Sequence, residues 1–256
     1  MRYVRYREQS GAVHYGFLEG EVIERIDGDL FGAYRMSGVE TPLDEVELLA
    51  PCVPSKVIGI GKNYKAHAEE LGGEAPEVPC TFIKPSTSVI GPGDAIEYPP
   101  AVTRLDYEGE LCVVIGKKAK FVREEDALDY VLGYTVGNDV SARNMQWGEL
   151  QWTRGKALDT GCSLGPVITD EVDPEALRVV TRLNGEVKQD GRTADLIFKI
   201  PRLIAFITEV ITLLPGDVIM TGTPAGISPM QPGDEVEVEI EGIGTLKNHV
   251  VAAGPR

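Results

Sequence analysis

Short apolar runs, each opened or closed by an acid, a glycine or a proline, recur along most of this chain and predict a strand-rich fold. The run Asp106-Tyr-Glu-Gly-Glu-Leu-Cys-Val-Val-Ile115 is acidic at its start and nearly all apolar afterwards, the pattern of a strand whose end the acids mark. A second such run, Tyr130-Val-Leu-Gly-Tyr-Thr-Val-Gly-Asn-Asp139, ends on an acid instead. From Asp234 to Glu241 acids and aliphatic residues alternate with period two, which predicts a strand with one wet and one buried face. Pro-Gly-Asp triplets at Pro92, Pro215 and Pro232 each precede a strand-like run and suit tight turns.

Helical signals are fewer. Pro201 to Ile211 is mainly apolar with proline in the first turn and Pro215-Gly216 beyond it, which predicts a buried helix. Ser141 to Leu150 predicts a second helix, with the Ser141 hydroxyl capping the free amides directly after Asp139. Asn63 to Glu70 reads as a short helical segment, and the Gly-Gly and proline-rich stretch from Leu71 to Pro79 reads as a mobile flap. Residues 2 to about 50 read as short β segments with a turn at Asp27-Gly28-Asp29, and Pro51-Cys-Val-Pro54 punctuates the chain. The expected organisation is a small N-terminal β domain over 1–52 and a catalytic domain over 53–256, of α+β, β-rich class.

The chemistry is concentrated at the strand ends. Glu108 and Glu110 stand at i and i+2, so on a strand they point to one face, where two carboxylates repel unless a cation or water-filled cleft separates them. Asp139, closing the other apolar run, could meet them. Three oxygen donors suit a hard divalent cation, magnesium first and then manganese or calcium, over zinc or copper. The competing reading is the solvated face of an edge strand, as the acids of 234–241 are read. Two differences separate the pairs: glycine lies between Glu108 and Glu110, and an apolar strand follows them.

His67 and Glu70, at i and i+3, share a helix face on which the carboxylate can hold and polarise the imidazole, though such a pair is also common on surfaces. Lys156 could bring positive charge to a bound carboxylate or enolate. The loop Thr221-Gly-Thr-Pro-Ala-Gly226 offers hydroxyls and amides to an anionic oxygen but lacks the Gly-Lys-Ser/Thr of a phosphate loop.

Composition narrows the partners. With 256 residues, 43% hydrophobic and 25% charged, the chain is long enough for a substantial core. Its net charge of −15 argues against nucleic acid or an anionic membrane. Cys52, Cys80, Cys112 and Cys162 are widely spaced, as free thiols in a reducing compartment would be. With no apolar run of membrane-spanning length and no secretion signal at the N-terminus, a cytoplasmic protein is expected.

Taken in order, Gly61-Lys-Asn-Tyr-Lys-Ala-His67, Phe82-Ile-Lys-Pro85, Asp106-Tyr-Glu-Gly-Glu110, Gly137-Asn-Asp139-Val-Ser-Ala-Arg143-Asn-Met-Gln146, Lys156 and Thr221-Gly-Thr-Pro224 resemble the fumarylacetoacetate hydrolase family, in its short branch. The resemblance covers about residues 55 to 252. It implies a mixed β-sandwich roll with short helices, a homodimer, and Mg2+ or Mn2+ held by Glu108, Glu110 and Asp139. It also implies a His67–Glu70 dyad on a closing lid, with Lys156, Gln146, Thr223 and Arg143 toward the substrate and a variable pocket wall near Trp147 and Trp152. The reaction implied acts on a 2-oxo acid through an enolate: C–C bond hydrolysis of an acylpyruvate or decarboxylation of oxaloacetate. The alternative is an isomerase or decarboxylase of homoprotocatechuate breakdown. A silent, metal-dependent dicarboxylate-binding protein is the reading from a different class.

Overall fold

The computed structural model describes residues 1–254. Two sheets face each other. The larger, of twelve strands, has a central path that runs Tyr34–Pro42, Val22–Gly28, Val13–Glu19, Arg2–Arg7, Cys162–Thr169, Val131–Asp139, Gly109–Ile115, Val218–Met220, Lys56–Gly61 and Cys80–Pro85. The smaller, of five, runs Glu186–Arg192, Arg178–Leu183, Glu235–Ile240, Gly244–Ala252 and Ala95–Tyr98. The mixed sandwich with few short helices is the architecture expected.

The strand Gly109–Ile115 is buried along its whole length because it lies in the middle of the large sheet with packing on both faces. Leu111, Val113 and Ile115 join Val179, Val238 and Leu246 of the small sheet in one core. Cys112 and Val114 turn to the opposite face, among Val57, Cys162, Val218 and Met220. The predicted alternation of 234–241 is realised as the strand Glu235–Ile240, whose Val236, Val238 and Ile240 are buried while its acids are half-exposed. The residue between the two glutamates has to be small: a Cβ on Gly109 would stand 2.2 Å from the Thr181 Oγ1 of the small sheet.

The N-terminal strands continue the large sheet edge-on, with Arg2 opposite Thr169 and Tyr3 opposite Ile168. The predicted apolar helix spans Ile200–Thr208, with Pro201 in its first turn and Leu203, Ile204 and Ile207 buried. It stops short of Ile211. The helix expected from Ser141 begins later, at Arg143, and runs to Gly148 without a side-chain cap. Ser141 instead pairs in a two-residue strand with Asp106, and its hydroxyl donates 2.9 Å to the Asp139 carbonyl. Tertiary pairing has overridden the local capping signal.

Candidate active site

Antiparallel register assembles the acids. Gly109 lies opposite Asn138 and Glu110 opposite Gly137, so Asp139 falls beside Glu108, whose carbonyl accepts the Asp139 amide at 2.8 Å. One face of two neighbouring strands therefore carries all three carboxylates. Each offers an oxygen within 4.8 Å of the others, and the residues are 3%, 2% and 1% exposed. The solvated-edge reading of Glu108 and Glu110 is thereby excluded.

Burying three acids together is unfavourable unless positive charge compensates, and two of them are compensated. Lys156 donates to Glu108 Oε2 at 2.5 Å, Asp139 Oδ2 at 2.6 Å and Ser141 Oγ at 2.6 Å, which uses all three ammonium protons. Lys84, fully buried, donates to Asp139 Oδ1 at 2.6 Å. Arg143 donates to Glu108 Oε1 at 2.5 Å, Asp106 Oδ2 at 2.9 Å and Gln146 Oε1 at 2.7 Å. Burial pushes the Glu108 carboxyl upward, but Arg143, Lys156 and His67 outweigh it and hold it well below the usual carboxylate range. Burial likewise works against the Lys156 ammonium, and Asp139 and Glu108 more than restore its charge.

Glu110 is the exception. Its carboxylate makes no ion pair among the described residues, and the one hydrogen bond to that carboxylate there comes from the Gly222 amide at 2.6 Å to Oε2. Burial first, then the charges of Asp139 and Glu108, push its carboxyl well above the usual range. A set of hard oxygen donors with one buried carboxylate short of a counter-charge is the arrangement a divalent cation completes, so the residues present fit the metal expected.

The helix Lys65–Glu70 carries the histidine to this cluster. His67 Nδ1 lies 3.0 Å from Glu70 Oε2, and Nε2 lies 3.6 Å from Glu108 Oε1. Glu70 Oε1 accepts the Gly226 amide at 3.0 Å, so one carboxylate ties the helix, the imidazole and the Thr221–Gly226 loop together. Asn63 fixes the start of the segment through its side chain, donating to Thr221 O at 2.7 Å and Phe198 O at 3.0 Å.

The loop itself differs from expectation: its hydroxyls are not free. Thr221 Oγ1 donates to Leu111 O at 2.8 Å and Thr223 Oγ1 to Gly109 O at 2.9 Å, so both protons are spent on the strand that carries the glutamates. Gly222 sits at φ +106°, and a Cβ there would meet the Asn63 Cβ at 2.7 Å. Gly222→Ala is expected to cost about 1–3 kcal/mol of stability through that strain and to weaken Mn2+ binding by displacing the amide on Glu110. Chemical denaturation and a manganese titration of the variant check both effects.

Glu108, Glu110, His67, Lys156, Arg143, Gln146 and Thr223 all line one cleft of about 260 Å³ of empty space, closed by Ile60, Gly61, Lys62, Leu71 and Trp152. Asp139 and Glu70 touch its lining residues from behind. Of the two tryptophans, Trp152 reaches the cleft, whereas Trp147 is exposed and lies under the Arg104 guanidinium at 5.3 Å. Two buried residues had no role assigned from sequence. Lys84 was legible in principle, as the one charged residue in the apolar Phe82-Ile-Lys-Pro85 segment. Gln189 was not: it sits in the polar strand Glu186–Arg192, yet it donates to Thr223 Oγ1 and Pro224 O, both at 2.7 Å, and accepts the Gly109 amide at 3.0 Å.

Residues 56–251 match the family model described as fumarylacetoacetate (FAA) hydrolase C-terminal. The chain belongs to the fumarylacetoacetate hydrolase family. Residues 1–51 match a separate model, described as Rv2993c-like, N-terminal. Oxaloacetate tautomerase YisK of Bacillus subtilis is 46% identical over 262 aligned positions, covering 91% of this chain and 87% of the relative. The crystal structure of 2-hydroxyhepta-2,4-diene-1,7-dioate isomerase from Mycobacterium marinum superposes with a TM-score of 0.92 at 43% identity, covering all of both chains. Fumarylpyruvate hydrolase from Pseudomonas aeruginosa, solved with Mn2+ and pyruvate, superposes with a TM-score of 0.74 at 30% identity, over 81% of this chain and 92% of that one. Membership of this family makes the protein an enzyme, and the silent dicarboxylate holder is set aside. No helix among the described residues is long and apolar enough to cross a membrane.

Proposed function

We propose that this enzyme interconverts the keto and enol forms of a small 2-oxo dicarboxylic acid such as oxaloacetate, with His67 moving the proton. The observation that carries the proposal is the dyad: an imidazole oriented through Nδ1 by Glu70 and presenting Nε2 to Glu108, one of the three clustered carboxylates. The names of the tautomerase and isomerase relatives support it. Mg2+ or Mn2+, held by Glu108, Glu110 and Asp139, would act as a Lewis acid toward the oxygens of the 2-oxo acid.

With Glu70 Oε2 accepting the Nδ1 proton, the free lone pair of His67 is on Nε2, inside the cleft. That atom takes a proton from the carbon beside the carbonyl, leaving an enolate and an imidazolium, and the imidazolium then gives the proton to the enolate oxygen; the reverse sequence ketonises the enol. The Gln146 amide oxygen is occupied by Arg143, which leaves its NH2 to donate to a substrate oxygen. The Lys156 ammonium supplies fixed positive charge beside the oxygen on which negative charge grows. A small cleft bounded by Leu71 and Trp152 limits water, which favours return of the proton over attack on the carbonyl.

Hydrolysis of an acylpyruvate is the second reading, favoured by the manganese and pyruvate complex of the fumarylpyruvate hydrolase relative. One experiment tests both: metal-stripped protein is mixed with oxaloacetate or acetylpyruvate with and without Mn2+, while enol absorbance, CO2 and acyl product are followed. The expected result is manganese-dependent acceleration of the enol signal with little CO2 or acyl product. Unchanged ketonisation of oxaloacetate would refute the first reading, and rapid acyl release would establish the second. We further propose a homodimer, which light scattering checks.

A further inference from the structure

We propose that Lys62 selects dicarboxylate substrates, its ammonium taking the carboxylate that lies away from the reacting carbonyl. This rests on the function proposed above. The cleft wall carries three cations, and two are already spent: Arg143 on Asp106 and Glu108, Lys156 on Glu108 and Asp139. Lys62 is the third, and among the described residues it makes neither an ion pair nor a hydrogen bond. Ile60, Leu71 and Trp152 make part of the lining apolar, and beyond Lys62 the cleft offers a second carboxylate no unspent Lys or Arg charge.

The backbone also singles this residue out. Lys62 lies at φ +56°, a left-handed conformation that disfavours any side chain, where the chain leaves the strand Lys56–Gly61 and turns toward the helix of His67. Strain of this kind persists where the surroundings impose it, and it is enriched at ligand clamps. Asn63, next in sequence, is pinned by three hydrogen bonds to Thr221 and Phe198, so the turn is held from outside. The Lys62 head lies against the flap: a Cβ on Gly73 would stand 3.0 Å from Nζ. The ammonium therefore sits between the cleft and the segment that covers it.

Pyruvate is oxaloacetate without the second carboxylate, which makes the pair a direct probe. Wild type, Lys62→Met and Lys62→Arg are loaded with Mn2+, and the affinities for oxaloacetate and pyruvate are measured by calorimetry beside the oxaloacetate KM and kcat. Lys62→Met is expected to weaken oxaloacetate roughly 10- to 100-fold, mostly in KM, with a shift for pyruvate at least five-fold smaller. Lys62→Arg, which keeps the charge, should restore most of the loss. A thermal melt matching wild type confirms that the turn has survived. Equal weakening of both ligands would mean that Lys62 only positions the flap, and no weakening of either would mean that it faces solvent; either result overturns the proposal. Wild type that binds oxaloacetate without converting it would sink the proposed reaction alone, because the calorimetric comparison still decides the role of Lys62.

Discussion

Glu110→Gln is expected to abolish divalent-cation binding and activity while leaving the metal-free protein at least as stable as wild type at neutral pH. The two effects have opposite signs because Glu110 alone among the three acids lacks a positive partner. Glutamine keeps the shape of the side chain, and its carbonyl oxygen can still accept the Gly222 amide. What it loses is the charge, and with it more than about 100-fold in Mn2+ affinity, beyond the usual cost of removing an outer partner of a metal ligand.

The sign of the stability change follows from the raised carboxyl. A group whose folded pKa lies above its ordinary value of 4.5 contributes stability that is complete below that value and fades as pH climbs through the raised one. Metal-free wild type should therefore lose melting temperature from about pH 4.5 toward neutrality relative to Glu110→Gln. Added Mn2+ should reverse the order, since a ligand at 100 times its Kd stabilises the folded state by about 2.7 kcal/mol and the variant cannot collect that gain. Melts of both proteins across pH, with EDTA or Mn2+, check the prediction. A variant still stabilised by manganese would remove Glu110 from the metal site. Asp139→Ala would be a poorer test, because it strands Lys84 as a buried cation, takes one of two carboxylates from Lys156 and mixes a folding defect with loss of the ligand.

What could be read from the chain, and what could not, divides by range of interaction. The apolar runs ending at Ile115 and Asp139 declare strands locally, and acids at their ends are visible without coordinates. That Asp139 lands beside Glu108 depends on register, which a long connection with its own 3-10 turn at Glu124–Tyr130 leaves open in the sequence. Gly109 showed that something unusual lay between the glutamates, but the cause, Thr181 pressing in from the other sheet, is a contact across 72 positions that no local pattern encodes. Ser141 was misread as a cap for the same reason. A serine before a helical run fits that role, until Asp106 and Lys156 arrive from distant segments and claim it. Gln189 left no trace at all, because in a polar strand one buried amide resembles its exposed neighbours.

The other large effect is expected at the dyad. His67→Ala should lower kcat about 10²- to 10⁴-fold, the range for loss of a positioned acid–base group, with Mn2+ affinity changed only a few-fold because no carboxylate is removed. Glu70→Gln should come within about ten-fold of that loss, although it retains shape and volume. Both Glu70 oxygens act as acceptors, one for the Gly226 amide and one for His67 Nδ1–H. Glutamine has one oxygen to offer. If it faces Gly226, its NH2 meets Nδ1 and drives the proton onto Nε2, so the base loses the lone pair it needs; if it flips, the Gly226 amide is opposed by another donor and the helix loses its tie to the loop. Wild-type turnover in Glu70→Gln would show that the tautomer is set elsewhere. A large loss of manganese affinity in His67→Ala would place the imidazole among the metal ligands and end its assignment as the proton carrier.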